Sequence, residues 1–342
     1  MLKFAAVGLD HTHIFDHVEG LLAAGAEFAG YCPQTSVPAL LEKFRAAYPE
    51  ARPLDRDAIF ADPSIDVICI AAIPRDRAGL AIRAMEAGKD VMVDKPGVTT
   101  FAQLDEVKRT VERTRRIFSV CFSERLRVRS AVLAGKLVAD GAIGRVVQTV
   151  GLGPHRKQLH TRPDWFFDLD AYGGIINDIA SHQIDQFLFY TGSQTAEVVA
   201  SSVGNFGTPQ SAEFQDFGEV LLRSDKASGY IRVDWFTPDG LPTWGDGRLT
   251  ILGTEGYIEL RKYIDIAGRE GKDHLFLVDH SGTRHIDCSN EPIEYFAAFA
   301  KDVRDRTETA VPQRHVFEVC RLALEAQAKA AVIAGSQSGR TS

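Results

Sequence analysis

Strand-like and helix-like segments alternate over the first 121 residues, and this alternation limits the possible folds more than any other feature of the sequence. The strand-like segments cover residues 2–9, 27–32, 66–72, 90–93 and 117–121. Residues 66–72 are almost continuously apolar, which is typical of a strand buried on both faces of a sheet. The pattern therefore predicts a doubly wound parallel sheet of the Rossmann type, covered by helices on both faces.

The second part of the chain carries a different pattern. Segments of alternating polar and apolar residues are separated by turn sequences such as PDG, GDG and GTEG, which predicts antiparallel strands. These segments cover residues 145–152, 198–203, 218–222, 229–235, 248–252, 257–261 and 274–278. Helices are predicted at 127–140, from 176 onward, at 292–304 and at 316–334.

Composition excludes several classes of function. The net charge of −7 argues against nonspecific binding to nucleic acid and to an anionic membrane surface. No apolar run approaches the roughly 20 residues that a bilayer requires, and residues 4–9 are too short for a signal peptide. The five cysteines form no CxxC pair, so we expect free thiols in a reducing cytoplasm.

The turn after the first strand reads Gly8-Leu9-Asp10-His11-Thr12-His13. A dinucleotide fold usually places three glycines here, so that a diphosphate can approach the backbone and the helix N-terminus. Only the first glycine is present, while Asp10 and His13 occupy the other two positions. We expect Asp10 to place a negative charge near the diphosphate and His13 to widen the helix–strand contact. An ordinary turn without a ligand is an equally good interpretation.

The second strand ends without an acidic residue. NAD sites usually place a carboxylate there to accept hydrogen bonds from the ribose hydroxyls. Here the strand ends in Cys32, and no Arg or Lys beside it could bind a 2′-phosphate. Gln34, Thr35 or Ser36 could bind either sugar, so the sequence leaves the choice between NAD and NADP open.

Two further stretches carry titratable side chains. Lys95 follows the fourth strand, at the edge where parallel sheets bind ligands, although a surface lysine in a loop is the simpler interpretation. Asp178 and His182 stand four apart in the stretch GGIINDIASHQID, so on a helix they share one face, and Asp185 can back up His182. A carboxylate that orients an imidazole can move protons, but an ordinary surface charge pair has the same spacing.

Other histidines allow a metal site or a substrate wall. His11, His13 and His17 have a spacing that zinc sites use, but the electropositive N-terminus of a helix is a poor place for a cation. We therefore predict no metal. The polar loop GPHRKQLHTRPDW supplies His155, Arg156 and Trp165 among others, and we interpret it as a substrate wall rather than only a solvated loop.

Taken together, these stretches resemble the Gfo/Idh/MocA oxidoreductases, which use NAD or NADP on sugars, polyols and related alcohols. The resemblance covers nearly the whole chain in the right order. It rests on the stretches IDVICIAAIP, AIRAMEAGKDVMVDKP, FSVCFSERLRVRSAVLAGKLVADGAIGRV, GGIINDIASHQIDQ and GTEGYIELR.

The resemblance implies a fold and roles for several residues. It implies a Rossmann domain followed by an α/β domain with a large open, mostly antiparallel sheet that pairs with a sister sheet in a homodimer or homotetramer. Lys95 takes the position of the lysine that aligns substrate, and His182 that of the catalytic acid/base. Asp178 takes the position of the acid that tunes this histidine, and Pro96 that of the proline beside the nicotinamide.

The chain departs from the family pattern only on the cofactor side. Besides the altered turn and Cys32, the family's TPNxxH run reads Ile73-Pro74-Arg75-Asp76-Arg77-Ala78, and Arg75 or Arg77 could bind phosphate instead. The cofactor residues implied are Gly8, Asp10, His11, Thr12, His13, Cys32, Gln34, Ala72, Ile73, Pro74, Arg75, Arg77, Asp94, Lys95 and Pro96. The substrate residues implied are Arg125, His155, Arg156, Trp165, Asp178 and His182.

We therefore expect an α/β dehydrogenase of two domains. Residues 1–122 are the dinucleotide-binding domain, 123–334 the substrate and oligomerisation domain, with a last helix able to pack back on the first, and 335–342 a disordered tail. Two alternatives stay open at this point. One is a sensor that binds a dinucleotide or sugar without turnover, and the other is a lyase or hydrolase that keeps the fold.

Overall fold

A computed structural model of the chain describes residues 1–333, so the predicted tail at 335–342 lies outside the described residues. The chain divides into two compact units, which are described separately. The first unit comprises Met1–Phe122, Asp170–Gly173 and Ile293–Arg321, and the second comprises Ser123–Leu169, Gly174–Pro292 and the residues from Leu322 onward. The stretch predicted as a second domain, 123–334, thus contains two segments that group with the first unit.

The first unit is built on a five-stranded parallel sheet in the order β2-β1-β3-β4-β5, which confirms the predicted doubly wound arrangement. A short helix, α3, was not predicted. The elements are β1 (Lys3–Leu9), α1 (His13–Ala23), β2 (Glu27–Tyr31), α2 (Pro38–Ala47), α3 (Arg56–Ala61), β3 (Val67–Ala71), α4 (Pro74–Glu86), β4 (Asp90–Asp94), α5 (Phe101–Thr114) and β5 (Phe118–Cys121).

The remaining helices and strands follow in chain order. They are α6 (Ser123–Leu126), α7 (Arg129–Ala139), β6 (Val146–Pro154), α8 (Leu169–Tyr172), α9 (Ser181–Thr191), β7 (Glu197–Gly204), β8 (Phe217–Arg223), β9 (Ser228–Asp234), β10 (Arg248–Gly253), β11 (Gly256–Arg261), β12 (His274–Asp279), β13 (Gly282–Asp287), α10 (Tyr295–Asp305), α11 (Gln313–Lys329) and β14 (Ala331–Ile333). The predicted helix at 316–334 is wrong at its end, because 331–333 form a strand that pairs with β7.

The second unit is built on a nine-stranded sheet in the order β13-β12-β11-β10-β6-β9-β8-β7-β14. The pairs β6–β9 and β7–β14 are parallel and the others are antiparallel, which confirms the expected mostly antiparallel sheet. Among residues 1–333, the structure contains no helix of the length and apolarity that a membrane crossing requires.

The central helix of the second unit lies against this sheet. Helix α9 packs on β6, where a side chain on Gly151 would approach Gln183 to 2.7 Å. Because only glycine fits beneath Gln183, the helix comes close to the strand. The segment before α9, Ile176–Ala180, is a π-helix, a rare geometry that is frequent at functional sites. The predicted helix from 176 onward therefore begins with a wider turn.

Candidate active site

The first unit contains a cavity of about 760 Å³ at the carboxyl ends of its strands. Predicted cofactor residues in its lining are Gly8, Asp10, Cys32, Gln34, Ala72, Ile73 and Arg75, joined by Thr35, Ser36, Arg56 and Gln103. Among the described lining residues there is no His11, Thr12, His13, Pro74, Arg77, Asp94, Lys95 or Pro96. The cavity thus contains the altered turn and the end of β2, the two places where a dinucleotide fold binds its ligand.

Gly8 is the part of the nucleotide turn that this chain retains. Its φ is +73°, and a Cβ added there would lie 2.5 Å from the Cβ of Ala72. Only glycine fits at this position, which keeps the backbone at the cavity wall free of side chains, as the approach of a diphosphate requires. The residues present therefore fit a dinucleotide at the first glycine of the motif.

Asp10 lines the cavity and is held by the loop after β2. Its Oδ1 accepts hydrogen bonds from the backbone N–H of Ser36, at 2.6 Å, and from the Ser36 hydroxyl, at 2.7 Å. The hydroxyl of Thr35 lies 3.0 Å from the same oxygen. Asp10 therefore joins the turn after β1 to the loop after β2, and its negative charge near a diphosphate stays a prediction.

Asp94, at the end of β4, is a fully buried carboxylate shared by three cationic or titratable groups. It lies 2.7 Å from Nδ1 of His13, 3.1 Å from Nδ1 of His11 and 3.0 Å from the guanidinium of Arg77. Burial alone would raise the pKa of Asp94, but Arg77 and the two imidazoles outweigh it and hold the pKa well below its usual range. Asp94 is therefore a permanent anion beneath the turn.

His11 responds differently to the same surroundings. Burial and the neighbouring His13 lower its pKa to about 4, although Asp94 acts in the opposite direction. His11 is consequently a neutral imidazole near neutral pH. The side chain of His13 reaches from the start of α1 to the end of β4, and the widening of the helix–strand contact stays a prediction.

Arg77 is not placed to bind a phosphate. It is 1% exposed, and its guanidinium donates to the carbonyl oxygens of Ala72, at 2.7 Å, and of Lys95. The expectation for Arg77 is therefore revised: its charge holds Asp94, and its other donors hold the strand ends. Arg75, which is about half exposed, is the arginine of this pair that lines the cavity.

Lys95 follows Asp94 directly and is 5% exposed. Its carbonyl accepts the hydrogen bond from Arg77, and its bond to Pro96 is a cis peptide. Arg77 thus contacts the side chain of Asp94 and the carbonyl of Lys95, and so holds the backbone at the predicted catalytic lysine. A buried lysine held in this way differs from the flexible surface lysine of the simpler interpretation.

The histidines do not form the metal set that the sequence suggested as an alternative. The group with suitable geometry is His11, His13 and Asp94, whose ligand atoms lie within 4.8 Å of one another, and His17 is buried outside that group. Arg77 already compensates the charge of Asp94, and α1 begins at His13. Both features oppose a cation here, so we treat the three residues as an ion-pair network.

In the second unit, His182 lies in the first turn of α9 and is 3% exposed. Asp178, four residues earlier, belongs to the π-helical segment and is partly exposed. The carboxylate of Asp178 also acts on Arg162. Burial lowers the pKa of Arg162, and this carboxylate opposes the effect without cancelling it. Burial distinguishes His182 from a histidine of an ordinary surface charge pair.

Glu124 forms a second buried ion pair that sequence reasoning missed. Its Oε2 accepts hydrogen bonds from the ammonium of Lys262 and, at 3.0 Å, from the side-chain amide of Gln183. Burial would raise the pKa of Glu124, but Lys262 and, less strongly, His182 lower it to about 2. The negative charge of Glu124 therefore acts on His182 from within the same unit.

Arg125 and Asp185 hold each other. The Arg125 guanidinium donates to both carboxylate oxygens of Asp185, at 2.6 and 2.7 Å, and stacks on the ring of Phe189. Asp185 was expected to support His182, and Arg125 to contact substrate. The structure joins them in a bidentate pair that ties α6 to α9, and both expected roles stay predictions.

The predicted substrate wall is an ordered loop. The Nδ1 of His155 donates to the carbonyl oxygen of Gly153, at 3.0 Å, and its ring packs against Trp235 and Trp244. The guanidinium of Arg156 donates to the carbonyls of Pro238 and Leu241. These hydrogen bonds from Arg156 hold the loop against the segment that contains Pro238 and Leu241.

Two further side chains of this loop, those of Trp165 and Arg162, differ in their hydrogen bonding. The indole N–H of Trp165 has no hydrogen-bond partner among residues 1–333. Arg162 stacks between Phe166 and Trp235, with its guanidinium carbon 4.5 and 4.9 Å from the two ring centres. The same guanidinium donates to the carbonyl oxygens of Lys157, at 2.8 Å, and Arg156, at 3.2 Å, so Arg162 holds the loop together.

Comparison with known proteins adds a family to this geometry. The profile described as "Oxidoreductase family, NAD-binding Rossmann fold" matches residues 16–122, and the profile described as "GFO/IDH/MocA C-terminal domain" matches residues 132–259. A crystal structure described as a "putative oxidoreductase from Erwinia carotovora atroseptica" is 47% identical, covers 98% of this chain and 100% of its own, and superposes with a TM-score of 0.94.

Two curated relatives are more distant. An uncharacterized oxidoreductase of Schizosaccharomyces pombe is 24% identical over 260 residues, which are 75% of this chain and 69% of the relative. Levoglucosan dehydrogenase of Pseudarthrobacter phenanthrenivorans is 32% identical over 145 residues, which are 42% of this chain and 37% of that enzyme. The chain thus spans well under half the length of the dehydrogenase it matches.

Proposed function

Because the chain belongs to the Gfo/Idh/MocA oxidoreductase family, we propose that it transfers hydride between NAD or NADP and a hydroxyl group of a sugar-like or polyol substrate. The observation that carries this proposal is the burial of two titratable side chains, Lys95 and His182, at the motif positions of the family's catalytic pair. The name of the levoglucosan dehydrogenase among the relatives supports a carbohydrate substrate.

The roles of the residues follow from their chemistry. When bound in the cavity of the first unit, a nicotinamide would supply the acceptor for the hydride of the substrate carbon. His182 accepts the proton of the hydroxyl on that carbon, so that a carbonyl forms and charge balances. Lys95 donates a hydrogen bond to the oxygen as it changes from hydroxyl to carbonyl, which stabilises its developing charge. Asp178 orients the imidazole, and in the reverse reaction His182 returns the proton.

The finer organisation is proposed on the same basis. Residues 1–122 act as the dinucleotide-binding domain and 123–334 as the substrate and oligomerisation domain. A homodimer or homotetramer forms through the nine-stranded sheet, since Leu252 and Tyr257 expose apolar side chains on it. All five cysteines are buried free thiols, which supports a cytoplasmic location.

A panel assay of four variants tests the proposed catalytic pair. We expect His182→Ala and Lys95→Ala to lose about 100- to 10,000-fold in kcat with a sugar or polyol, while the Kd for NADH stays within about twofold. The matched controls, His280→Ala and Lys43→Ala, remove exposed side chains of the same types and leave kcat unchanged. Wild-type turnover by His182→Ala would refute its role as the acid/base.

A further inference from the structure

We propose that Asp10 makes this enzyme select NAD(H) over NADP(H), in place of the acidic residue that the end of β2 lacks. The inference rests on the proposed function, since it concerns the nicotinamide dinucleotide that the cavity of the first unit would bind. The argument starts from the position of one carboxylate and from the donors it occupies.

The Asp10 carboxylate reaches the loop after β2 from the neighbouring strand. Asp10 follows β1 directly, and β1 lies beside β2 in the sheet. Its Oδ1 accepts from the N–H and hydroxyl of Ser36. In dinucleotide folds the adenosine ribose lies at the end of β2, where a carboxylate accepts hydrogen bonds from its hydroxyls. Asp10 thus places a carboxylate at that point although Cys32 cannot.

The same contacts remove the donors that a 2′-phosphate would need. An NADP site binds the 2′-phosphate with hydroxyls, backbone N–H groups and cations near the end of β2. Here the backbone N–H and hydroxyl of Ser36 are already directed at Asp10. The Thr35 hydroxyl lies 2.7 Å from the carbonyl oxygen of Leu9 and is used locally as well. A phosphate would have to displace Asp10 and then sit beside its negative charge.

Two arginines in the cavity wall oppose this effect, but each has acidic neighbours. Arg56 lies between Asp55 and Asp57 in sequence. Arg56 lowers the pKa of the Cys32 thiol, whereas the two acids raise it. The guanidinium of Arg75 lies 4.0 Å from the carboxylate of Asp76. Of these charges, that of Asp10 is in direct contact with the loop after β2, so it repels a phosphate bound to that loop.

Fluorescence titrations of the full-length protein with NADH and with NADPH test this assignment. We expect the wild-type protein to bind NADH at least about tenfold more tightly than NADPH, because the charge of Asp10 disfavours the 2′-phosphate. Asp10→Asn keeps the shape and removes the charge, and Asp10→Ser also frees the Ser36 donors. Both variants should shift the ratio of the two Kd values toward NADPH by about tenfold, Asp10→Ser the more.

Glu112→Gln is the matched control, because it removes one exposed acidic charge from the same unit outside the cavity and should leave the ratio unchanged. The wild-type ratio tests the proposal even if an Asp10 variant fails to fold. Equal or tighter binding of NADPH by the wild type would overturn the inference alone. An unchanged ratio in folded Asp10 variants would do the same. Binding of neither dinucleotide would overturn the proposed function, and the inference with it.

Discussion

Each unit buries a carboxylate and holds it with a cation, but the surroundings of the two carboxylates differ. Asp94 of the first unit is shared by Arg77 and two imidazoles, His11 and His13, whose rings are about a quarter exposed. Glu124 of the second unit is shared by Lys262 and an amide, and both charged side chains are almost fully buried. The first carboxylate has two imidazoles in direct contact, whereas Glu124 has an ammonium and an amide at hydrogen-bond distance, with His182 and His155 acting on it electrostatically.

This difference indicates where the chain can tolerate the loss of a charged side chain. An imidazole beside a carboxylate can become a cation when another cation is lost, so the charge of Asp94 has a reserve partner. When Lys262 is lost, the amide that stays hydrogen-bonded to Glu124 is that of Gln183, which is neutral at any pH. The nucleotide turn, where the chain departs from its family, thus lies on the Asp94 cluster, which we call adaptable because an imidazole in it can change charge. The helix that carries His182 lies against the Glu124 cluster, which we call rigid because the amide in it cannot.

Breaking the rigid cluster should have the largest effect on stability. Lys262→Met leaves Glu124 charged and unpaired in the interior, and we expect the free energy of unfolding to fall by about 4 kcal/mol. Chemical denaturation at neutral pH measures it. Lys136→Met is the control, since it breaks the more exposed pair of Lys136 with Glu291 and should change the free energy by less than about 1 kcal/mol. Equal small losses in both variants would show that Glu124 finds another partner.

Breaking the adaptable cluster should cost less, and the cost should depend on pH. In Arg77→Met the carboxylate of Asp94 keeps two imidazoles, so we expect a loss of about 3 kcal/mol near pH 8 and a smaller loss near pH 6. The sign follows because losing Arg77 favours the imidazolium form, which is populated as pH falls. Denaturation curves at the two pH values check this. A loss that grew on acidification would contradict the reserve role of His11.

The two clusters should also destabilise the protein in separate pH ranges. The folded-state pKa of His11 lies near 4 against an ordinary 6.5, so the unfolded chain binds its proton first. Stability then falls by about 1–2 kcal/mol as pH drops from 6.5 toward 4. For Glu124, with a pKa of about 2, stability is present above its ordinary 4.5 and lost as pH falls toward 2.

The variant His11→Asn separates these ranges. It should flatten the stability profile between about pH 6.5 and pH 4 and leave the loss below about pH 4.5 in place. His280→Asn, at an exposed turn, is the control and should leave both ranges as in the wild type. If His11→Asn retained the full slope above pH 4.5, another group would be responsible for it.

The sequence predicted the elements that follow from local pattern. Apolar continuity identified the five parallel strands, and alternation identified most of the second sheet. Strand β13 was missed because Gly282–Asp287 is mostly polar and exposed, so it has no alternating apolar face. Helix α3 was missed because it has only six residues, although Asp55 caps it with hydrogen bonds from Asp57 and Ala58.

The candidate site was predictable as a set of motif positions and not as a set of contacts. Lys95, Asp178 and His182 were found because each belongs to a short pattern. Glu124 and Lys262 are 138 residues apart, and neither carries a local signal of its pairing. The partnership of His13 with Asp94 spans 81 residues in the same way. Long-range charge pairs depend on the packed fold, so the roles of Arg77 and Arg125 could not be read from spacing.

The central claim is that this chain transfers hydride directly from a sugar-like alcohol to a nicotinamide. The most direct test uses a panel of sugars and polyols that carry deuterium on the carbon to be oxidised, followed by mass spectrometry of the cofactor. We predict deuterium on the nicotinamide ring and one carbonyl product for each cofactor reduced, with both lost in His182→Ala. A converted substrate whose cofactor acquires no deuterium would contradict the claim.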